Sequence, residues 1–160
     1  MLQRPHYRGY FLHEQVFKDF PMEHMPEKLY VREPLWLYAG NQYAYAKFRN
    51  YVDQVRRYSI YFNPTIRSPM PRERGEAMLC GLVNVSYQNH DVELFIKNGI
   101  NGFYSSDPGE LREYLLHLLK NPEVMKSVGM AGRLLAMDLF NHDRYLMEWE
   151  SLISELIGKG

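Results

Sequence analysis

The sequence predicts an α/β fold in which a parallel sheet carries helices on both faces, and three observations support this prediction. Short apolar runs with the composition of strands, residues 35–40, 59–62, 82–86 and 103–104, alternate with longer amphipathic segments. Most of the intervening segments are long enough for the helical crossovers that parallel strands require. The 160 residues, 46% of them hydrophobic and 24% charged, suffice for one globular domain with a buried core.

Residues 1–34 differ from the rest of the chain. They contain four of the nine prolines and show little sustained periodicity. We therefore expect an irregular N-terminal arm with one short helix near residues 13–17. The α/β domain is expected to span residues 35–160. It starts with a buried strand over Leu35–Gly40 that ends in a glycine turn, and a helix follows near residues 43–57.

Prolines position the elements in the middle of the chain. The strand over residues 59–62 stops before Pro64, which cannot continue a central strand. Pro71 suits the first turn of a helix that runs to Gly81, because the N–H that proline lacks has no helical partner at that position. A third strand then covers Leu82–Ser86.

Helices dominate the C-terminal third, after one more short strand. A short helix over residues 91–97 ends at Asn98-Gly99, and the strand at residues 103–104 follows. Asn141 is expected to cap the last helix. The remaining predicted elements are a helix over Gly109–Lys120, a helix restarted by Asn121-Pro122, and the last helix, whose apolar period comprises Tyr145, Trp149, Leu152, Ile153 and Leu156.

Charge and composition exclude several classes of function. Nineteen basic residues balance nineteen acidic ones, so no net field favours nucleic acid or an anionic membrane. The single cysteine, Cys80, excludes an internal disulfide and favours a reducing compartment, so we expect the cytoplasm. The six histidines have no metal-ligand spacing, and we expect no metal. No apolar run approaches the roughly 20 residues that span a bilayer.

The predicted topology specifies where a ligand would bind. Open parallel sheets bind ligands at the carboxyl ends of their strands. The loops that follow the predicted strands are residues 40–42, 63–73 and 87–91. These three segments are therefore the candidate site before any family is considered.

An ordered series of motifs resembles one enzyme family. The run Glu76–Gly81 (EAMLCG) opens a helix, and a strand, a glutamate at 93, a glycine at 99 and an Asn101-Gly102 turn follow it. Asn121-Pro122 separates two helices, and Phe140 precedes the last one. Over residues 59–157 this series resembles the donor domain of GT-B glycosyltransferases, in particular the large retaining family 4.

The resemblance implies a Rossmann-like domain that forms one half of a GT-B fold and binds a nucleotide-diphosphate sugar for retaining glycosyl transfer. It implies no cofactor and no catalytic nucleophile in this domain. An acceptor-binding domain, a second chain or a homo-oligomer would supply the other half, so the isolated chain is expected to be an inactive part of an enzyme.

Two departures from the family pattern support an alternative. Ser68 stands where the family has the first glutamate of its pair, and the glycine-rich loop before the second is replaced by Pro69–Gly75. Prolines have no N–H to offer a diphosphate. The alternative is a degenerate, non-catalytic GT-B-like module that binds nucleotides or a partner; a GT-B-like sugar-nucleotide epimerase is a third hypothesis.

Eight residues form the predicted donor site, and Glu76 is the ribose partner because a carboxylate accepts strong hydrogen bonds from two hydroxyls. The alternative for Glu76 is a carboxylate in the first turn of its own helix. The phosphate ligands would be Arg67, Arg72 and Arg74, whose guanidinium groups suit phosphate oxygens, although arginines beside a helix start are also often just solvated.

The remaining four site residues are polar. Thr65 and Ser68 would hydrogen-bond the sugar, although both residue types also form turns without a ligand. Asn89 and His90 follow the third strand, where His90 would donate to the leaving phosphate. The alternative role of Asn89 is the N-cap of the helix from Asp91.

Overall fold

The structure is a computed structural model, and it describes residues 10–21, 23, 42–67 and 72–158. The side chains of residues 10, 42–47 and 72 are not described. The helices are α1 (Tyr10–Phe17), α2 (Gln42–Val55), α3 (Arg72–Leu79), α4 (Val92–Phe95), α5 (Pro108–Lys120), α6 (Pro122–Leu139) and α7 (His142–Ile157). The strands are β1 (Ile60–Asn63), β2 (Val83–Tyr87) and β3 (Phe103–Ser105).

The three strands form a parallel sheet in the order β1-β2-β3. Ile60 pairs with Val83, and Val85 pairs with Phe103. Helices connect the strands and lie on both faces, so the predicted α/β fold is confirmed. The strand predicted over Leu35–Gly40, and the boundary predicted between residues 34 and 35, lie outside the described residues.

Apolar side chains fill one face of the sheet. Val83 and Val85 of β2 are buried there, next to Phe103 of β3. The helices α1 and α5, with the turn after α1, cover this face and contribute Leu12, Val16, Phe20, Leu111, Leu115 and Leu118. Each such side chain stabilises the fold by roughly 1.5–3 kcal/mol through burial, so this cluster is the main core.

The opposite face of β1 and β2 is polar. Side chains alternate along a strand, so the residues between the apolar ones point to this second face. Tyr61 pairs with Asn84, and Asn63 pairs with Ser86. The asparagines and the serine are buried, and α3 packs on this side of the sheet. We call these four residues the polar layer.

Glycines let α6 approach the loops beside the sheet. A Cβ atom at Gly129 would lie 2.3 Å from the backbone oxygen of Gly81, and one at Gly132 would lie 2.8 Å from that of Asn101. Both distances are too short for any side chain, because protein interiors are already close-packed. The helix is therefore held against the turns that precede β2 and β3.

Arg112 of α5 hydrogen-bonds to backbone oxygens at the end of α1 and just after it. Its Nη1 donates to the backbone oxygens of Val16, at 3.0 Å, and Lys18, and its Nη2 donates to that of Asp19 at 3.0 Å. The last carbonyls of a helix have no partner within the helix. The guanidinium therefore satisfies the carbonyl of Val16 and two carbonyls just after the helix. The helix predicted near residues 13–17 is confirmed, and Leu12 and Val16 of this helix are part of the core.

The final helix is capped as predicted. The Asn141 side-chain oxygen accepts from the Arg144 backbone N–H at 3.0 Å. The alternative role of Asn89 is wrong: Asp91 occupies the N-cap position of α4, and the Asn89 side chain points to Arg74 instead. No residue of α7 is buried. Within the described residues, no helix is long and apolar enough to cross a membrane.

Candidate functional site

A hydrogen-bond network joins the carboxyl ends of β1 and β2 to the start of α3. Arg74 Nη2 donates to Asn89 Oδ1 at 3.2 Å, and Asn89 Nδ2 donates to the Thr65 backbone oxygen at 2.6 Å. The Thr65 N–H donates to Asn63 Oδ1 at 3.2 Å. All four residues are buried. The structure therefore brings together three predicted site residues, Thr65, Arg74 and Asn89, and adds Asn63.

Arg74 lies on the side of α3 that faces the sheet. It shares one helical stripe with Ala77 and Met78, three and four residues further on, and its exposed fraction is only 3%. Burial lowers the pKa of Arg74, and Tyr61 opposes that shift. Arginine remains protonated in proteins. A cation therefore occupies a position where an amphipathic helix normally places an apolar side chain.

The network leaves hydrogen-bond donors without acceptors. Among the residues that the structure describes, four buried side-chain atoms have no partner: Arg74 Nε, Arg74 Nη1, Asn63 Nδ2 and Asn84 Nδ2. All four are N–H donors, and burying such a group unsatisfied costs about 1–3 kcal/mol. The interior beneath α3 thus lacks acceptor atoms, which is the deficit that an anionic group would fill.

The two unpartnered nitrogens of Arg74 face different directions. Nε and Nη1 lie on different edges of the planar guanidinium, so one oxygen atom cannot accept from both. Nη2 is already engaged with Asn89. A ligand that satisfies this group must therefore present at least two acceptor atoms, as phosphate groups do.

Glu76 has a separate partner. Its Oε2 accepts from the Tyr51 hydroxyl of α2 at 2.7 Å, and the pair is partly buried. Residues two apart on a helix do not face the same side. Arg74 therefore contacts the loops after the strands, whereas Glu76 contacts the preceding helix.

The other predicted site residues lie at the surface or are only partly described. Arg67 is exposed. His90 is exposed and has a left-handed backbone, with φ 42°, which histidine tolerates better than most residues. For Arg72 only the backbone is described, as the first residue of α3. Ser68 lies outside the described residues.

The polar layer was not predicted from the sequence, although the alternation of apolar and polar residues in the strands could have predicted it. Central parallel strands are buried on both faces and usually read as continuous apolar runs. Residues 83–87, VNVSY, alternate instead, and Asn63 ends β1 with another amide. Two polar residues inside a central strand, preceded by an arginine on the sheet-facing stripe of a helix, predict a polar interior.

The described residues contain no group of three histidine, cysteine, aspartate or glutamate side chains that could hold a metal ion. Cys80, at the end of α3, is half-buried, and burial raises the pKa of its thiol. A hydrogen bond from Arg56 and that arginine's charge oppose the shift. Among the residues that the structure describes, the buried donors without an acceptor belong to Arg74, Asn63 and Asn84.

The fold is similar to that of several solved structures. Sucrose-phosphate synthase from Thermosynechococcus elongatus matches with TM-score 0.57 and 19% identity, over 64% of this chain and 26% of that protein. HepE from Anabaena, in complex with UDP, matches with TM-score 0.59 and 17% identity, over 64% of this chain and 29% of HepE.

A second structure of HepE, in complex with UDP-glucose, matches with TM-score 0.57 and 14% identity, over 73% of this chain and 38% of that one. The chain therefore spans between about a quarter and two-fifths of the proteins it matches. No protein-family model matches the sequence, and no curated protein does. The chain has the Rossmann-like α/β fold that forms one half of GT-B glycosyltransferases.

Proposed function

We propose that this chain is the C-terminal, donor-binding domain of a retaining GT-B glycosyltransferase of the family 4 type. It binds a nucleotide-diphosphate sugar in the cytoplasm and uses no cofactor. An acceptor-binding domain, in a second chain or in another part of the same protein, completes the enzyme. The fold supports this proposal, as do the neighbours solved in complex with UDP and UDP-glucose.

The observation that carries the proposal is the buried guanidinium of Arg74. It lies where β1 and β2 end, which is where open parallel sheets bind ligands. Its Nε and Nη1 have no acceptor among the described residues. A diphosphate supplies several acceptor oxygens and two negative charges, so it meets the deficit that the protein leaves.

The remaining predicted residues have assigned roles around that anchor. Glu76 accepts from the ribose hydroxyls, with Tyr51 holding its carboxylate. Arg67 and Arg72 supply further positive charge to the phosphates, and Thr65, Ser68 and Asn89 contact the sugar or the phosphates. His90 donates to the departing phosphate from its exposed turn. No residue of this chain serves as the nucleophile.

The first experiment measures nucleotide binding by isothermal titration calorimetry. UDP, GDP and ADP and their glucose conjugates are titrated into the wild-type chain, Arg74→Met and Glu76→Gln. We expect one nucleotide class to bind and each substitution to weaken binding at least tenfold. Arg57→Met, which replaces an exposed arginine after α2, is the matched control and should bind normally. Absence of binding, or normal binding by Arg74→Met, would contradict the proposal.

A second candidate function, a non-catalytic module, is favoured by one feature of the same site. The unpartnered Arg74 nitrogens are buried away from solvent. A ligand therefore reaches them only after a local opening. Sugar transfer or donor hydrolysis, measured after the acceptor domain is supplied, separates the two: binding without turnover supports the module, and turnover supports the enzyme.

A further inference from the structure

The charge of Arg74 is buried without a carboxylate beside it. Its Nη2 donates to the neutral amide of Asn89, and its Nε and Nη1 have no partner among the residues that the structure describes. Buried charges in proteins are normally paired, because a charge that leaves water loses its hydration and needs compensation. The folded chain without a nucleotide therefore needs a counter-ion for this guanidinium.

Asn63 adds a third unpartnered donor to the same network. Its Oδ1 accepts from the Thr65 N–H at 3.2 Å, which fixes the amide and leaves Nδ2 without an acceptor within the described part of the chain. Thr65 and Asn89 connect it to Arg74 through hydrogen bonds. The exposed fractions of Asn63 and Arg74 are only 2% and 3%. Buried donors from β1 and α3 therefore belong to one connected group.

The three unpartnered atoms define the chemistry of a ligand. All three are donors, so the ligand must accept hydrogen bonds, and the guanidinium requires that it be an anion. Nε and Nη1 lie on different edges of the guanidinium, so the ligand needs at least two acceptor atoms. A halide has one acceptor atom, whereas a tetrahedral oxyanion has four. The buried position favours an ion of this kind that carries no further group.

We propose that Arg74 and Asn63 bind one inorganic phosphate ion when no nucleotide is present. The ion accepts from Arg74 Nε and Nη1 and from Asn63 Nδ2, and it balances the buried positive charge. It enters through the same local opening that a nucleotide requires. It occupies the Arg74 nitrogens that the proposed function gives to the donor diphosphate, so one consequence rests on that function: the donor must displace the ion.

The displacement makes donor binding depend on the phosphate concentration. Two ligands that need the same Arg74 nitrogens exclude each other, so each lowers the apparent affinity for the other. The ion also stabilises the chain that holds it, because it binds the folded state and not the unfolded one. Inorganic phosphate therefore protects the empty domain and sets the donor concentration that fills it.

The first test is calorimetric titration of inorganic phosphate into the full chain in a chloride buffer. We expect one saturable site per chain. Sulfate has the same shape and presents only acceptors, so the three donors should bind it with similar affinity. Replacing chloride with gluconate at equal ionic strength should leave the phosphate affinity unchanged, because chloride does not satisfy both Arg74 nitrogens.

Two variants assign the ion to this network. Arg74→Met removes the charge and should abolish saturable phosphate binding. Asn63→Asp keeps an oxygen that accepts from the Thr65 N–H and replaces the Nδ2 donor with a carboxylate oxygen, which supplies the counter-charge from within the protein. It should weaken phosphate binding at least tenfold. The exposed replacements Arg57→Met and Asn50→Asp are the matched controls and should bind phosphate normally.

Thermal unfolding gives a second readout of the same variants. Phosphate should raise the Tm of the wild-type chain and of both controls, and it should raise the Tm of Arg74→Met and Asn63→Asp much less. Without phosphate, Asn63→Asp should melt at a higher temperature than the wild-type chain, because its carboxylate pairs with the guanidinium. If Asn63→Asp does not fold, Arg74→Met alone still decides the assignment.

Competition separates this inference from the proposed function. The nucleotide that binds in the first experiment is titrated into the wild-type chain at increasing phosphate concentrations, and its apparent Kd should rise in proportion to phosphate. Saturable phosphate binding without any nucleotide binding would contradict the proposed function alone. Nucleotide binding without phosphate binding would contradict the phosphate site alone.

Three further results would overturn the phosphate site. One is phosphate binding by Arg74→Met that equals that of the wild-type chain. Another is phosphate binding at least tenfold tighter than sulfate binding, because the site would then accept a hydrogen bond from the phosphate O–H, which donors cannot do. The third is a nucleotide affinity that phosphate does not change, because the two ligands would then occupy separate places.

Discussion

At the scale of single residues, Arg74 combines a cost in stability with a proposed role in binding. Its two unpartnered nitrogens are buried, and each unsatisfied donor costs about 1–3 kcal/mol. Replacing a buried charged group with an apolar one of similar volume is often stabilising. A residue that weakens the fold in this way is expected to be kept for a ligand.

We predict that Arg74→Met raises the free energy of unfolding by about 1–2 kcal/mol while it weakens nucleotide binding. Methionine fills most of the same volume and removes the unpaired donors. Urea denaturation monitored by circular dichroism measures the change, with Arg57→Met as the exposed control. A loss of stability instead would show that Arg74 holds the loops together through Asn89.

Tyr51 holds the carboxylate of Glu76, the glutamate of the family motif, in place through a hydrogen bond. Its hydroxyl donates to Glu76 across 25 positions of sequence, and its side chain is buried. We predict that Tyr51→Phe lowers the free energy of unfolding by about 1 kcal/mol, because one partly buried side-chain hydrogen bond is lost. Tyr58→Phe, at an exposed tyrosine near the end of α2, should change it by much less in the same denaturation experiment.

The site was only partly predictable from sequence. Topology alone placed Thr65 and Asn89 at the ends of neighbouring strands, and the structure joins them through one amide. The sequence did not reveal the contact of Glu76 with Tyr51, because no local pattern links residues so far apart. It also did not show that the Arg74 side chain turns inward, since that depends on the sheet surface beneath α3.

At the scale of helices and strands, local chemistry predicted the elements well. Proline and asparagine marked the starts of α5 and α6, and α5 begins at Pro108 with the Asp107 side chain accepting from the Gly109 N–H at 2.6 Å. The close approach of α6 to the neighbouring turns was not predictable, because a glycine in a helix has several explanations and only the packing decides between them.

We predict that Gly129→Ala destabilises the fold by about 1–3 kcal/mol, the usual cost of overpacking. In an open helix the same change would stabilise by about 1 kcal/mol, because alanine is the better helix former. Whether Gly129→Ala lowers or raises the free energy of unfolding therefore tests whether a Cβ at this position would lie 2.3 Å from the Gly81 backbone oxygen. Gly132→Ala should cost less, at 2.8 Å from Asn101, and the exposed Ser127→Ala should be nearly neutral in thermal unfolding.

At the scale of the whole molecule, the sheet has two unlike faces. One is an apolar core that α1 and α5 close, and the other contains buried amides and a cation beneath α3. The apolar face determines stability, whereas the polar face is where a ligand is proposed to bind. Changes at the α1 side should therefore alter unfolding without altering nucleotide affinity.

Protonation of His13 on α1 is one such change, and it makes the free energy of unfolding depend on pH. It is half-buried on α1, with its ring centroid 4.6 Å from that of Phe17 and 6.3 Å from that of Phe62. Burial lowers the pKa of His13 below its ordinary value, and the charge of Glu14 opposes this shift. In the unfolded chain the same imidazole is protonated at about pH 6.5 and below. The unfolded state therefore binds more protons as the pH falls through that value.

The stability that neutral His13 contributes is thus fully present above about pH 6.5 and is lost as the pH falls from there to the lowered folded pKa. We predict that His13→Gln flattens the decline of the unfolding free energy over this interval. Urea denaturation at a series of pH values measures it, with the exposed His142→Gln as control. An unchanged slope in His13→Gln would mean that α1 does not couple proton binding to folding. Nucleotide affinity at neutral pH should stay the same in both variants, since the Arg74 network consists of Asn63, Thr65, Arg74 and Asn89.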